Sequence, residues 1–255
     1  MHRSFTLALV MILSTSASHA QSLASRVAQA RNGNVRFTYA SRPDVCGSGE
    51  HMIQSGEHNR VTNQRDDDDR NCPCEYGPVR LTLEVRDGAV TRVRTAVGGR
   101  PRGEATDLGT VGTRDAVAYL FLLARGSNSR VSEEALFPIT LADSVTPWPE
   151  MLRLAKDQRV GQPARKASVF WLGQAAGDAA TASLTELAEN DEDREVKEAA
   201  VFALSQLHDG QGVPALIHIA RTNRDPRIRR TALFWLGQSD DPRALALFEE
   251  LLSNK

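Results

Sequence analysis

The sequence predicts a mainly α protein: an α-solenoid of helical hairpins preceded by a small disulfide-stapled β domain. Three observations carry this. First, Phe170-Trp171-Leu172-Gly173-Gln174 returns as Phe202-Ala203-Leu204-Ser205-Gln206 and again as Phe234-Trp235-Leu236-Gly237-Gln238, with a constant spacing of 32 residues. A fixed period of this size marks stacked units, each burying its apolar face against its neighbours. Second, Val79, Leu81, Leu83 and Val85 alternate with Arg80, Thr82 and Glu84, the period-two pattern of a half-buried strand. Third, the cysteines Cys46, Cys72 and Cys74 all lie upstream of that strand.

In chain order, Met1-His2-Arg3, an apolar run from Leu7 to Leu13 and then Ser18-His19-Ala20 have the form of a secretory signal peptide over residues 1–20. The run is too short to span a bilayer. The mature chain is expected to begin at Gln21, in the periplasm or outside the cell, with no membrane insertion. Residues 21–112 form the β domain. Leu23 to Asn32 reads as a short helix or a lead, and Asn34 to Ala40 alternates as a strand. Pro43 to Gly49 is turn chemistry, and residues 55–71 form a mobile polar loop that includes Asp66 to Asp69. The strand from Pro78 to Val85 turns at Asp87-Gly88 and returns over Ala89 to Val97. Thr113 and Asp115 are expected to cap a helix over 114–125 that Gly126 ends. Residues 113–160 read as degenerate capping helices, with Pro138 breaking an ordinary first helix.

Residues 161–255 are the repeats. Val196, Ala200, Ala203, Leu204 and Leu207 share one helical face, and Asp193 stands before them as a cap. Asp225-Pro226 and Asp241-Pro242 pair a capping carboxylate with a proline at the first helical position. The second helix of each unit places Leu184, Leu187 and Ala188, then Leu216, Ile219 and Ala220, then Phe248, Leu251 and Leu252, on its apolar side.

The segments D-x-x-V-K-E-A-A-V-F-A-L-S-Q-L and D-P-R-I-R-R-T-A-L-F-W-L-G-Q resemble HEAT repeats, closest to the short bacterial kind also found in phycobilisome lyase subunits. The resemblance covers about residues 161–255. It implies a protein-binding scaffold whose second helices line the concave surface. It also implies a ladder of Asp193 with Lys197 and Asp225 with Arg229. The outward positions of the second helices are then Thr185, Glu186 and Glu189, then Ile217, His218 and Arg221, and then Glu249, Glu250 and Ser253. This gives a mixed-charge face with one exposed isoleucine for a protein partner.

Other chemistry is weighed against plainer readings. In an exported chain the cysteines are oxidised where geometry allows. Cys46 ends one β segment and Cys74 opens another, so Cys46–Cys74 is the expected bridge. Cys72–Cys74 would close too tight a ring, and a redox-active Cys72-Pro73-Cys74 is the alternative. His51, His58 and Asp66 to Asp69 offer metal-ligand types, but the acidic run lacks the spaced ligands and turn glycine of a Ca²⁺ loop, so a solvated loop is expected. No phosphate-cradling, nucleophile-elbow or zincin motif occurs, and no cofactor is called for. Trp171 and Trp235, at one repeat position, are expected to pack between units. Gln174, Gln206 and Gln238 are expected to satisfy carbonyls in the inter-helix turn. Removing residues 1–20 leaves 30 basic against 32 acidic residues, a net charge of −2. That balance argues against nucleic-acid binding. The reading is an exported protein–protein adaptor. Its rival is an enzyme, or an enzyme's accessory subunit, with a site in the β domain.

Overall fold

The computed structural model describes residues 22–49, 52–55, 59–62 and 74–253. The expected leader, the expected start at Gln21, Cys72 and the proposed metal ligands His51, His58 and Asp66 to Asp69 lie outside them.

The chain opens with α1 (Leu23–Ala28), then β1 (Gly33–Tyr39), β2 (Val45–Gly47), β3 (Met52–Ser55), β4 (Asn59–Thr62), β5 (Glu75–Tyr76), β6 (Val79–Arg86), β7 (Ala89–Ala96) and β8 (Thr106–Thr110). Helices follow: α2 (Thr113–Ala124), α3 (Ser129–Glu134), α4 (Phe137–Thr140), α5 (Trp148–Lys156), α6 (Gln162–Ala176), α7 (Thr181–Asn190), α8 (Arg194–Ser205), α9 (Val213–Thr222), α10 (Pro226–Gly237) and α11 (Pro242–Ser253). The protein is mainly helical, with its β structure confined to the N-terminal part.

The larger sheet has the order β7-β6-β1-β8. Phe37 stands opposite Leu81, and Leu83 opposite Val93, so one face is a continuous apolar layer. The alternation in β6 turns every odd residue from Val79 to Val85 inward, as its sequence pattern predicts. β8 joins β1 in parallel at the edge opposite β7. The connection between β7 and β8 therefore crosses the sheet. It is tied down from the polar face: Arg80 donates to the carbonyls of Gly98 (2.8 Å) and Gly99 (3.4 Å), and Arg36 to those of Arg102 (2.9 Å) and Gly103 (3.1 Å). Asn34 donates to Glu104 O at 3.3 Å. Arg36 is buried under this strap, and its positive charge is met by carbonyl dipoles.

The second sheet, β4-β3-β2-β5, differs from expectation. The turn region 43–49 contains β2, and the polar loop expected over 55–71 includes β4, which pairs with β3 across its whole length. These strands are two to four residues long, too short to show alternation. The Cys46–Cys74 disulfide bridges β2 to the residue before β5, with Cα atoms 5.3 Å apart. Gly47 has no room for a side chain: a Cβ there would stand 2.5 Å from the Val97 carbonyl.

The cap of α2 also differs. Gly112, with no side chain to offer, is the N-cap, and Thr113 already belongs to the helix. Pro138 sits in the first turn of α4, where its missing N–H is tolerated, and it separates α4 from α3. The buried Tyr39 hydroxyl donates to Pro138 O at 2.6 Å, joining β1 to α4. Sheet residues such as Phe37 and Leu81 and helix residues such as Leu120, Leu154 and Leu172 belong to one core.

Candidate functional site

The repeat units are the hairpins α6/α7, α8/α9 and α10/α11. In α8 and the turn after it, Val196, Ala200, Ala203, Leu204 and Leu207 are buried. Asp193 and Asp225 cap α8 and α10 through the N–H groups of Glu195 (2.9 Å) and Arg227 (2.8 Å). In the second helices, Leu184, Leu187, Ala188, Leu216 and Ile219 are buried and Ala220 is half-buried. The register differs in α11, where Leu251 and Leu252 are 48% and 71% exposed and Ala244 and Leu247 take the core. No further unit covers this last helix among the described residues.

The second helices α5, α7, α9 and α11 carry the positions expected to meet a partner. Glu186 is exposed and pairs with Lys156 of α5 at 2.6 Å. Glu189 is half-buried and lies 3.2 Å from His218 Nε2 on α9. Arg221 on α9 pairs with Glu250 on α11. Glu249 and Ser253 are exposed, and Thr185 is half-buried with its hydroxyl donating to Thr181 O at 2.8 Å. Ile217 is not the exposed isoleucine expected: it is half-buried against the core. Five of the expected site residues, Glu186, Glu189, His218, Arg221 and Glu250, thus form with Lys156 a ladder in which acid and base alternate across unit boundaries. Such exposed pairs contribute about 0–1 kcal/mol each, so the face remains available to exchange them for a partner's charges.

The polar stitching inside the stack was only partly legible. Lys197 and Arg229 do not bond the capping carboxylates of Asp193 and Asp225. They reach back to the end of the preceding second helix, where last-turn carbonyls lack partners. Lys197 Nζ donates to Glu189 O at 3.1 Å, and Arg229 Nη1 to Asn223 O at 2.8 Å. Arg165 occupies the same repeat position. Its Nε donates to Ala155 O at 2.8 Å, and its other nitrogen pairs with Asp191, both side chains being almost fully buried. Asp191 Oδ1 accepts the Asp193 N–H at 2.8 Å, as Asn223 Oδ1 accepts that of Asp225 at 3.0 Å. The signal was the recurring Asp191-x-Asp193 and Asn223-x-Asp225, where only the second member had been given a role.

The aromatic residues pack between units. Trp171 contacts Phe137 (5.0 Å between ring centroids) and Phe170 (4.8 Å), and Trp235 contacts Phe202 (4.9 Å) and Phe234 (5.0 Å). Gln206 and Gln238 are C-caps that act through their backbone N–H groups, bonding Ala203 O and Trp235 O at 3.2 Å each; the Gln206 amide reaches Ser205 Oγ instead.

Between α2 and the start of α5, a cleft of about 410 Å³ is lined mainly by Val117, Ala118, Phe121, Val145 and Pro147, with Arg114, Arg125 and Glu150. Arg125 is paired with Glu150. A second cleft, of about 500 Å³, lies on the sheet beside Asn34, Glu84, Arg86 and Arg94. The Arg86 hydrogen bond, with the charges of Arg94 and Arg92, holds the Glu84 carboxyl below its ordinary value, so this group is a salt-bridge acceptor. Neither cleft joins a nucleophile to a base, and no group of metal-ligating side chains occurs among the described residues.

The period, the Asp caps and the paired helices agree with a family model for HEAT repeats that matches residues 181–255. This part of the chain consists of HEAT repeats. The HEAT match begins at α7, and α6 before it contributes the same aromatic and basic positions to the stack. A solved structure, the complex of CpcE and CpcF of phycocyanin lyase from Nostoc sp. PCC7120, is similar at 20% sequence identity. The similarity covers 54% of this chain and 89% of that one, with a TM-score of 0.42. No curated protein matches the chain.

Proposed function

We propose that this protein is an exported adaptor that binds another protein through the second-helix face of its HEAT stack and is not itself a catalyst. The observation that carries the reading is the ladder Lys156–Glu186, Glu189–His218 and Arg221–Glu250 on consecutive second helices. These charges sit on a rigid scaffold at fixed spacing and are held only by weak, exposed pairs. The chain's apolar leader and its Cys46–Cys74 bridge suit an oxidising compartment outside the cytoplasm.

The test is crosslinking capture from the cell envelope with the wild-type chain and with Glu186→Arg/Arg221→Glu. Loss of a specific captured partner in the variant, with the melting curve within about 2 °C, is the expected result. Retention of that partner, together with its loss on Lys166→Glu, would move the binding surface to the first helices and refute the assignment. For export, intact-mass measurement is expected to give a chain beginning at Gln21, and retention of Met1 would refute it.

A further inference from the structure

The end of the stack formed by α10 and α11 is dressed as an interior. Leu245 is 61% exposed, Leu252 71% and Phe234 58%. Ala244 and Leu247 take the core places that Val213 and Leu216 hold in α9, so Leu245 and Leu252 stand where α9 carries the exposed Pro214 and Arg221, while Phe234 stands one period after the half-buried Phe202. A terminal unit facing water replaces such positions with polar groups. Here two of the three become more apolar than their counterparts in the preceding unit. The charges follow the same logic. Lys166 on α6 reaches forward to Glu195 of the next unit at 2.7 Å. Arg230 holds that repeat position on α10 and, among the described residues, has no ion-pair partner. Glu249 is also exposed and unpaired there.

We propose that this end face is an interface with a second copy of the chain, related by a two-fold axis parallel to α10 and α11. The face is self-complementary under that operation alone. The two helices run antiparallel, so the start of α10 and the end of α11 lie at one level. Phe234 is eight residues past Pro226, and Leu245 eight residues before Ser253. Arg230 is four residues past Pro226, and Glu249 four before Ser253. At about 1.5 Å per residue these pairs are level to within a turn. The two-fold lays α10 on the partner's α11 without changing height. Phe234 then meets the partner's Leu245, and Arg230 meets the partner's Glu249, each contact occurring twice as an isologous interface requires. An axis perpendicular to the helices would set the basic α10 against itself. The face is only two helices wide, at the low end of specific interfaces, so the dissociation constant is expected at about 1–100 μM. Apart from Glu249, which both surfaces share, this inference rests on residues outside the second-helix face proposed for the partner.

Sedimentation velocity on the full chain from about 1 to about 300 μM tests it. The mass is expected to rise from that of a monomer to twice that value. Arg230→Glu and Glu249→Arg should each weaken the dimer about tenfold or more, and the two together should restore it to within about threefold. Leu245→Glu/Leu252→Glu should leave a monomer with an unchanged melting curve. A monomer throughout the range, a dimer that survives Leu245→Glu/Leu252→Glu, or a charge reversal without rescue would overturn the proposal.

Discussion

The buried pair of Arg165 and Asp191 is expected to act as a stability switch for the junction between the N-terminal helices and the repeats. Both side chains are almost fully buried, and they clip together α5, through Ala155 O, the helix α6 that carries Arg165, and the turn after α7. Asp191→Asn keeps an oxygen for the Asp193 N–H, now met at 2.8 Å, but strips the guanidinium of its counter-charge. Leaving one partner of a buried pair uncompensated costs about 3–5 kcal/mol. Arg165→Met leaves the opposite charge stranded and should cost a similar amount. The double variant strands neither charge. It loses only the donor to Ala155 O, an unsatisfied acceptor worth about 1–3 kcal/mol. Arg165→Met/Asp191→Asn should therefore be more stable than either single variant. This is a non-additivity of at least about 2 kcal/mol, which separates an ion pair from two independent packing defects. Asn223, one period after Asp191, already serves its own turn without a charge, so the asparagine is compatible with the fold. Urea denaturation followed by helical circular dichroism measures all four proteins. Single variants that each cost under about 1 kcal/mol, or losses that simply add, would refute the reasoning.

Three further outcomes are expected. Leu204→Ala and Leu236→Ala, at equivalent buried positions, should each cost about 2–5 kcal/mol in the same denaturation experiment. Cys46→Ala, which removes a bridge spanning 28 residues, should cost about 2–5 kcal/mol and lower the melting temperature of the β region, and peptide mapping of the wild type should recover Cys46 joined to Cys74. Asp241 accepts the Arg243 N–H at 2.9 Å at the start of α11, and the hydrogen bond from the Arg243 side chain holds its carboxyl at about 2. Because that value is depressed, the stability it lends is complete above about pH 4 and is lost as the pH falls through about 2; acid titration of helicity should show this component in the wild type and not in Asp241→Asn.

What was legible in the sequence divides by range of interaction. The 32-residue period placed the Asp193 and Asp225 caps and the buried Leu184, Leu204, Leu216 and Leu236, and the Asp241-Pro242 pair placed the cap of α11, because each depends on residues within one or two turns of itself or at a fixed offset. The same periodicity misassigned Leu251 and Leu252, since α11 sits one residue off the 32-residue register and turns Ala244 and Leu247 to the core. It also left Ile217 outward, because a helical wheel drawn for one helix omits the neighbour that half-covers it. The candidate face followed the same division. Glu186, His218, Arg221 and Glu250 are exposed as expected, whereas their pairing across units is a property of the stack.

The N-terminal region shows why the remainder was illegible. β6 and β7 form a hairpin whose alternation and turn lie within eighteen residues (79–96), and both strands appear where the pattern places them. β8 has no apolar face to announce it, with Thr106, Asp107, Gly109 and Thr110 exposed and Leu108 half-buried, and it pairs in parallel with a strand some seventy residues earlier. Such a pairing obliges the chain to cross the sheet, and the crossing segment brings backbone carbonyls over a polar face that would otherwise be solvated. Arg36 and Arg80 supply the donors, so two arginines that read as ordinary outward strand positions become the ties of the crossing. Their role depends on topology, not on spacing. Lys197 and Arg229 follow the same rule in the stack, each turning from the expected carboxylate to unpaired carbonyls brought near by the preceding unit. In both halves the long cationic side chains satisfy the backbone where elements meet, and the apolar period sets which elements those are.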